Sequence, residues 1–206
     1  MSSAKSTLIQ GGTLVTMDND RQVFVGDLRI RDNRIQEIAP SLEPLPGETS
    51  IDARGCFVIP GLIQAHTHLC QALFRGLADD MALLDWLQKK IWPFESSHNE
   101  GSMFASAAIG LLEMQLLGTT SILDMASTRN TDPVFEAVSQ SGMRYWGGNC
   151  LADLKSTSGP LYLETKESLA ESERLLKRWH KSSPLIEYAL CPRFAVSCSE
   201  KILRAA

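Results

Sequence analysis

The run Val58-Ile59-Pro60-Gly61-Leu62-Ile63-Gln64-Ala65-His66-Thr67-His68 constrains this chain more than any other stretch. Pro60-Gly61 predicts a turn, and the apolar residues after it predict a short strand that ends in two histidines. Side chains alternate along a strand, so His66 and His68 project from one face while Thr67 points away. Two imidazoles on one face can share a metal ion. The plainer alternative is a pair of solvated or hydrogen-bonded histidines. Context weighs against it: residues 69–76 contain no turn dipeptide, so the histidines fall near the strand's C-terminal end, where barrel enzymes carry their chemistry.

Residues 7–59 read as short strands separated by turns. Leu8-Ile9-Gln10 and residues 13–17 flank a predicted turn at Gly11-Gly12, and residues 23–31 and 34–38 flank Asp32-Asn33. Pro40, Pro44, Pro46 and Gly47 mark a loop before a further strand over 50–58. After His68 the period changes. Leu83, Leu84, Leu87 and Ile91 predict one helix face, with Asp79 or Asp80 as N-cap and Pro93 as terminator. Ala105, Ile109, Leu112 and Leu116 predict the apolar face of a second helix that closes at Gly118. Strands are expected over 119–125, 143–150 and 185–191. Between them lie a helix opened by Asp132-Pro133 and closed by Gly142, and a longer one from Thr165. The latter has an apolar face of Leu169, Leu176 and Trp179 and an exposed Glu173–Lys177 pair. A last helix begins at Ser197 or Ser199.

Strand and helix in alternation predict a parallel sheet with right-handed crossovers. About four βα units follow from His66, whereas a closed barrel takes eight strands and about 250 residues. The expected architecture is α/β: a β-rich segment over 1–59, then a partial TIM (β/α)8 barrel, its first four units, over 60–206. The sequence reads as the N-terminal half of a barrel enzyme.

Residues 60–68 closely resemble the first barrel strand of the amidohydrolase superfamily, with its proline-glycine, small-residue, His-x-His pattern. Residues 73–80, then Leu83-Leu84-Asp85-Trp86-Leu87 and Ile91-Trp92-Pro93-Phe94-Glu95, are similar to one branch of it. That branch contains triazine chlorohydrolases and deaminases of purines and their nucleosides. The resemblance implies that the β-rich start belongs to a small β-sandwich domain attached to the barrel. It also implies one divalent metal ion, zinc before iron, held by His66 and His68. The remaining ligands and the acid-base glutamate are expected from later strands, beyond Ala206, so no catalytic residue is assigned here.

The stretch Cys191-Pro192-Arg193-Phe194-Ala195-Val196-Ser197-Cys198-Ser199 has two readings: a strand end with a helix cap, or a substrate wall. In the second, Arg193 offers fixed donors to a purine and Phe194 a stacking face. It resembles the matching segment of guanine deaminases, and Gln71 falls at a position similar to their base-contacting glutamine. Residues 75–80 and Ile91-Trp92-Pro93 are closer to deaminases of adenosine-type nucleosides, where Arg75 and Trp86 would serve a wider pocket. Base and nucleoside both stay open. His98 and His180 read as packing or surface histidines rather than ligands.

Composition narrows the classes further. Twenty Lys and Arg against twenty-four Asp and Glu give a net charge of −4 without a basic stretch, which argues against a nucleic-acid surface. No window approaches a membrane span and the N-terminus has no signal-peptide core, so a cytoplasmic location is expected. Five cysteines at irregular spacing predict reduced, mostly buried thiols. The expected function is metal-dependent hydrolytic deamination of an aminopurine or adenosine-type nucleoside, a small-molecule substrate. The alternatives are a triazine-type chlorohydrolase and a catalytically dead fragment or interaction module. A half barrel leaves open strand edges, so a homo-oligomer or a complementing C-terminal half is the expected partner.

Overall fold

A computed structural model describes residues 5–206. Two compact units meet in the sequence after Pro60, Met1–Pro60 and Gly61–Ala206.

The first unit is one sheet of β1 (Ser6–Val15), β2 (Val23–Arg31), β3 (Arg34–Ala39), β4 (Thr49–Asp52) and β5 (Phe57–Val58). β2 pairs antiparallel with β1 and with β3, while β4 and β5 run parallel to β1. The turn predicted at Gly11-Gly12 is instead a bulge inside a continuous β1, with a register shift between Ile9 and Gly12. Gly11 has φ +70° and donates its N–H to Asp27 Oδ1 at 2.7 Å, so the glycine pair bends the strand without ending it. The strand expected over 50–58 is, by contrast, split into β4 and β5, because Gly55 turns at φ +78°.

The second unit alternates strand and helix. In order come β6 (Leu62–Thr67), a 3-10 turn over Leu69–Phe74, α1 (Leu83–Trp86), a π turn over Leu87–Ile91, α2 (Trp92–Ser96) and α3 (Glu100–Leu116). These are followed by β7 (Thr119–Met125), α4 (Asp132–Ser141), β8 (Arg144–Gly148), β9 (Cys150–Leu151), α5 (Lys155–Ser158) and α6 (Thr165–Trp179). β10 (Ile186–Tyr188), β11 (Cys191–Pro192) and α7 (Glu200–Ala205) complete it. Strands in the order β10-β8-β7-β6 make a parallel sheet, and β11 pairs parallel with β9. The chain is therefore α/β with parallel sheets in this unit.

One face of the four-stranded sheet is packed. Ile122, Tyr145 and Ile186 meet Met103, Ala107 and Leu111 of α3, Val134, Phe135 and Val138 of α4, and Leu175 of α6 in one buried cluster. The alternate strand residues Ile63, Leu123 and Trp146 are exposed. That is the reverse of the usual parallel sheet, which is covered on both faces.

Helix boundaries follow the expected caps in part, since Ala82 rather than Asp79 or Asp80 stands at the N-cap of α1. Helix faces also follow only in part, Leu87 and Ile91 being buried but Leu83 and Leu84 exposed. Asn99 forms a reciprocal capping box with Ser102, Gly118 and Gly142 take φ +86° and +71° past α3 and α4, and Ser199 caps α7 by accepting from Ile202 N–H. Pro93, however, does not terminate a helix. The π turn before it has already broken the i to i−4 ladder, with Trp92 N–H reaching back to Leu87 O, so a residue without an N–H enters the first turn of α2. On α3 the expected face is wrong: Ile109, Leu112 and Leu116 are exposed, and Met103, Ser106, Ala107, Gly110 and Leu111 are buried. This helix is apolar nearly all round, so periodicity did not select a side; close approach did. A Cβ on Gly110 would already stand 3.2 Å from Leu69 Cδ2. On α6 the buried face is Ser168, Ser172 and Leu175, with Ser172 Oγ donating inward to Asn149 Oδ1; of the expected face Leu169 and Trp179 are packed and Leu176 is exposed. The Glu173–Lys177 pair is present at 2.5 Å.

Candidate metal and substrate site

His66 is the penultimate residue of β6, and His68 follows Thr67 as the residue that enters the 3-10 turn. Their rings lie edge to face with centroids 4.9 Å apart, so the two imidazoles are neighbours as the alternation predicts. The ladder between β6 and β7 slips between Gln64 and Thr67, which bends β6 beneath His66.

His68 is oriented by its surroundings. Its Nδ1 lies 2.9 Å from Met125 O, and a carbonyl only accepts, so Nδ1 carries the proton and Nε2 keeps its lone pair. Burial pulls the His68 pKa below the usual imidazole value, opposed by the Met125 hydrogen bond and lowered further by the Arg193 charge. A neutral imidazole with Nε2 free is the form that binds a metal. Among the described residues no group of three or more His, Cys, Asp or Glu stands close enough to hold an ion.

The turn after His68 is pinned at every step. Leu69 N–H donates to Asp124 Oδ1 at 2.8 Å, Ser106 Oγ donates to Leu69 O at 2.7 Å, and Gln71 N–H donates to His68 O at 2.9 Å. His98 has Nε2 2.8 Å from Cys70 O and Nδ1 2.9 Å from Ser102 Oγ, so both nitrogens are occupied and it serves packing. His180 lies past α6, where its Nδ1 accepts from Tyr188 N–H.

A cavity of about 470 Å³ opens beside His66 and His68, and Gln71, Arg75 and Trp86 line it with them. Arg75 pairs with Glu113 at 2.5 Å across its exposed lip. Arg193 and Phe194 stand outside this lining. Phe194 packs with Trp86 on Leu87, Ile91, Trp92 and Leu161. Arg193 reaches the site through a residue the sequence did not single out. Both oxygens of buried Glu95 accept from its guanidinium, at 2.9 and 3.0 Å, and Glu95 Oε1 also accepts from Gln71 Nε2 at 2.6 Å. One carboxylate thus joins Gln71 to Arg193. Burial works against the Arg193 charge, but the Glu95 hydrogen bond and charge raise its pKa further, so it stays a cation. Nη1 of Arg193 also lies 3.9 Å from Cys150 Sγ, a thiol that burial pushes up to about 12. Four of the five cysteines are buried and all are free thiols.

Two acidic residues were missed, Glu95 and Asp124, and each left a local trace. Glu95 is the one acid in the apolar run 91–95, and Asp124 the one charge in the strand 119–125.

Residues 57–206 match the profile of the Amidohydrolase family, and the chain belongs to that family. It is 37% identical over 201 residues to 5'-deoxyadenosine deaminase of Methanothermobacter thermautotrophicus, a match covering 97% of this chain and 45% of the relative. Guanine deaminase from C. acetobutylicum, solved with guanine in its active site, superposes with a TM-score of 0.87 at 22% identity, over 97% of this chain and 49% of that one. Atrazine chlorohydrolase from Arthrobacter aurescens TC1, solved with zinc, superposes with a TM-score of 0.85 at 22% identity, over 97% and 49%. The chain spans about half the length of the relatives it matches. No helix among the described residues is long and apolar enough to cross a membrane.

Proposed function

We propose that this chain is the first half of a closed (β/α)8 barrel in a metal-dependent deaminase acting on an aminopurine base or an adenosine-type nucleoside. One observation carries the reading: two adjacent imidazoles, one locked with Nε2 free, open onto a cavity of about 470 Å³, within the size range of small-molecule sites. The named activities of the 5'-deoxyadenosine and guanine deaminases support the substrate class, and the zinc complex of the chlorohydrolase supports the metal. Residues 1–59 are read as part of a small β-sandwich domain. The uncovered sheet face would pack against the remaining barrel strands, from the same polypeptide or a complementing one, in a cytoplasmic and oligomeric enzyme.

His66 and His68 would hold the ion, His68 through the Nε2 that its Met125 contact leaves free. A divalent cation there supplies Lewis-acid activation of water at neutral pH. Gln71 lines the cavity, and with its nitrogen given to Glu95 its carboxamide oxygen is the group left to meet a substrate. That oxygen is an acceptor for a ring N–H or an exocyclic amine. Trp86 offers an apolar wall and Arg75 a cation at the lip, while Arg193 and Phe194 act from behind the lining, Arg193 through Glu95 on Gln71 and Phe194 by packing with Trp86. The proton for departing ammonia must come from an acid-base carboxylate, for which no residue of this chain is assigned.

The test is ammonia release from guanine, 5'-deoxyadenosine and S-adenosylhomocysteine by zinc-loaded protein that contains this chain with its remaining barrel strands. Turnover of at least one is expected. Chloride release from a chlorotriazine alone would replace the reading with a chlorohydrolase, and no hydrolysis by protein holding one zinc would overturn it.

A further inference from the structure

We propose that Asp124 is a positioning residue for His68: its carboxylate holds the peptide after the histidine so that the imidazole presents Nε2 to the ion. The inference rests on the metal reading of His66 and His68.

Asp124 lies on β7 and is 1% exposed. Its neighbour two residues earlier, Ile122, is packed in the apolar cluster, and an apolar side chain would suit that face. A buried carboxyl group has a desolvation cost that hydrogen bonds must offset. Its oxygens are placed on two donors, Leu69 N–H at 2.8 Å and Tyr145 OH at 3.0 Å. The first of these is the peptide immediately after His68.

The reason a side chain is needed there lies in the ladder. β6 and β7 pair at Gln64 with Ile122 and at Thr67 with Asp124, with a bulge between, and β6 ends at Thr67. Beyond that point the chain turns away into the 3-10 turn, so Leu69 N–H has no strand partner in the ladder. Asp124 Oδ1 takes that place. The next residue, Met125, accepts from the His68 ring with its carbonyl. Residues 124 and 125 therefore grip His68 twice, through the backbone that follows it and through its ring. Without the first grip, the peptide of His68 can rotate and the ring leaves the Met125 carbonyl. Partners of this kind around metal-binding histidines change affinity by about 10–100-fold when removed.

Two near-isosteric variants separate positioning from bulk. Asp124→Asn keeps an oxygen for Leu69 N–H and offers an N–H to Tyr145 OH. Asp124→Leu keeps the branched shape and removes the acceptor; Asp124→Ala replaces it should the Leu variant not fold. Two readouts apply to the folded chain. The first is the His68 ring ¹⁵N spectrum without metal, and the second is zinc affinity by calorimetric titration. Asp124→Leu is expected to lose the Nδ1–H tautomer and to bind zinc at least about tenfold more weakly, with Asp124→Asn within about threefold of the unaltered chain. A folded Leu or Ala variant that keeps both the tautomer and the affinity would overturn the proposal, as it would show a purely structural carboxyl. If the unaltered chain takes up no zinc, the metal reading fails instead, and the tautomer still decides the role of Asp124.

Discussion

Glu95→Ala is expected to lower stability by about 3–5 kcal/mol, the usual result of leaving one member of a buried ion pair uncompensated. The Glu95 and Arg193 side chains are 1% and 5% exposed, so solvent screens neither charge. Removing the carboxylate strands the guanidinium and also frees Gln71 Nε2. Replacing both partners by apolar residues, Glu95→Leu with Arg193→Met, should recover most of the loss, because no buried charge is left behind. Urea unfolding of the single and double variants gives the coupling. A coupling below about 0.5 kcal/mol would mean that the pair acts as two independent side chains.

Asp124 makes stability fall as pH rises from about 4 to about 7. Burial pushes its carboxyl up to about 7 from an unfolded value of 3.8, against the opposing Leu69 and Tyr145 hydrogen bonds and with a further upward push from the Glu95 charge. Between those values the folded chain keeps a proton that the unfolded chain has lost. Stability is therefore highest below about pH 4, declines up to about pH 7 and is flat above. The total is on the order of 4 kcal/mol. His68 contributes with the opposite sign, since its lowered pKa makes stability rise with pH up to the unfolded value of 6.5 and leaves it level above. The comparison of the unaltered chain with Asp124→Asn isolates the carboxyl. Urea midpoints from pH 5 to 7.5 should converge toward, or cross, those of the Asn variant as pH rises. Parallel profiles would show that Asp124 titrates near its ordinary value.

The histidine pair was legible because strand alternation alone brings His66 and His68 together, and the α/β order was legible in the change of period after residue 68. Helix ends were legible at Gly118, Gly142 and Ser199, where a cap needs a particular residue type. The buried face of α3 was not, because apolar residues surround that helix and the choice was made by the fit of Gly110 against Leu69. Gly11-Gly12 was misread for a related reason: the same dipeptide serves a turn or a bulge, and a distant partner, Asp27, decides. The Glu95 bridge joins residues 98 positions apart in the sequence, a contact no local pattern encodes. Arg193 accordingly stands against a carboxylate, whereas residue type alone suggested a guanidinium presented freely to a base.

The account turns on His66 and His68 as ligands of one ion, and X-ray absorption on the zinc-loaded chain tests that most directly. The predicted spectrum contains two imidazole nitrogens at about 2.0–2.1 Å, and zinc affinity falls by about a hundredfold or more in both His66→Ala and His68→Ala. A spectrum and an affinity that both substitutions leave unchanged would contradict it.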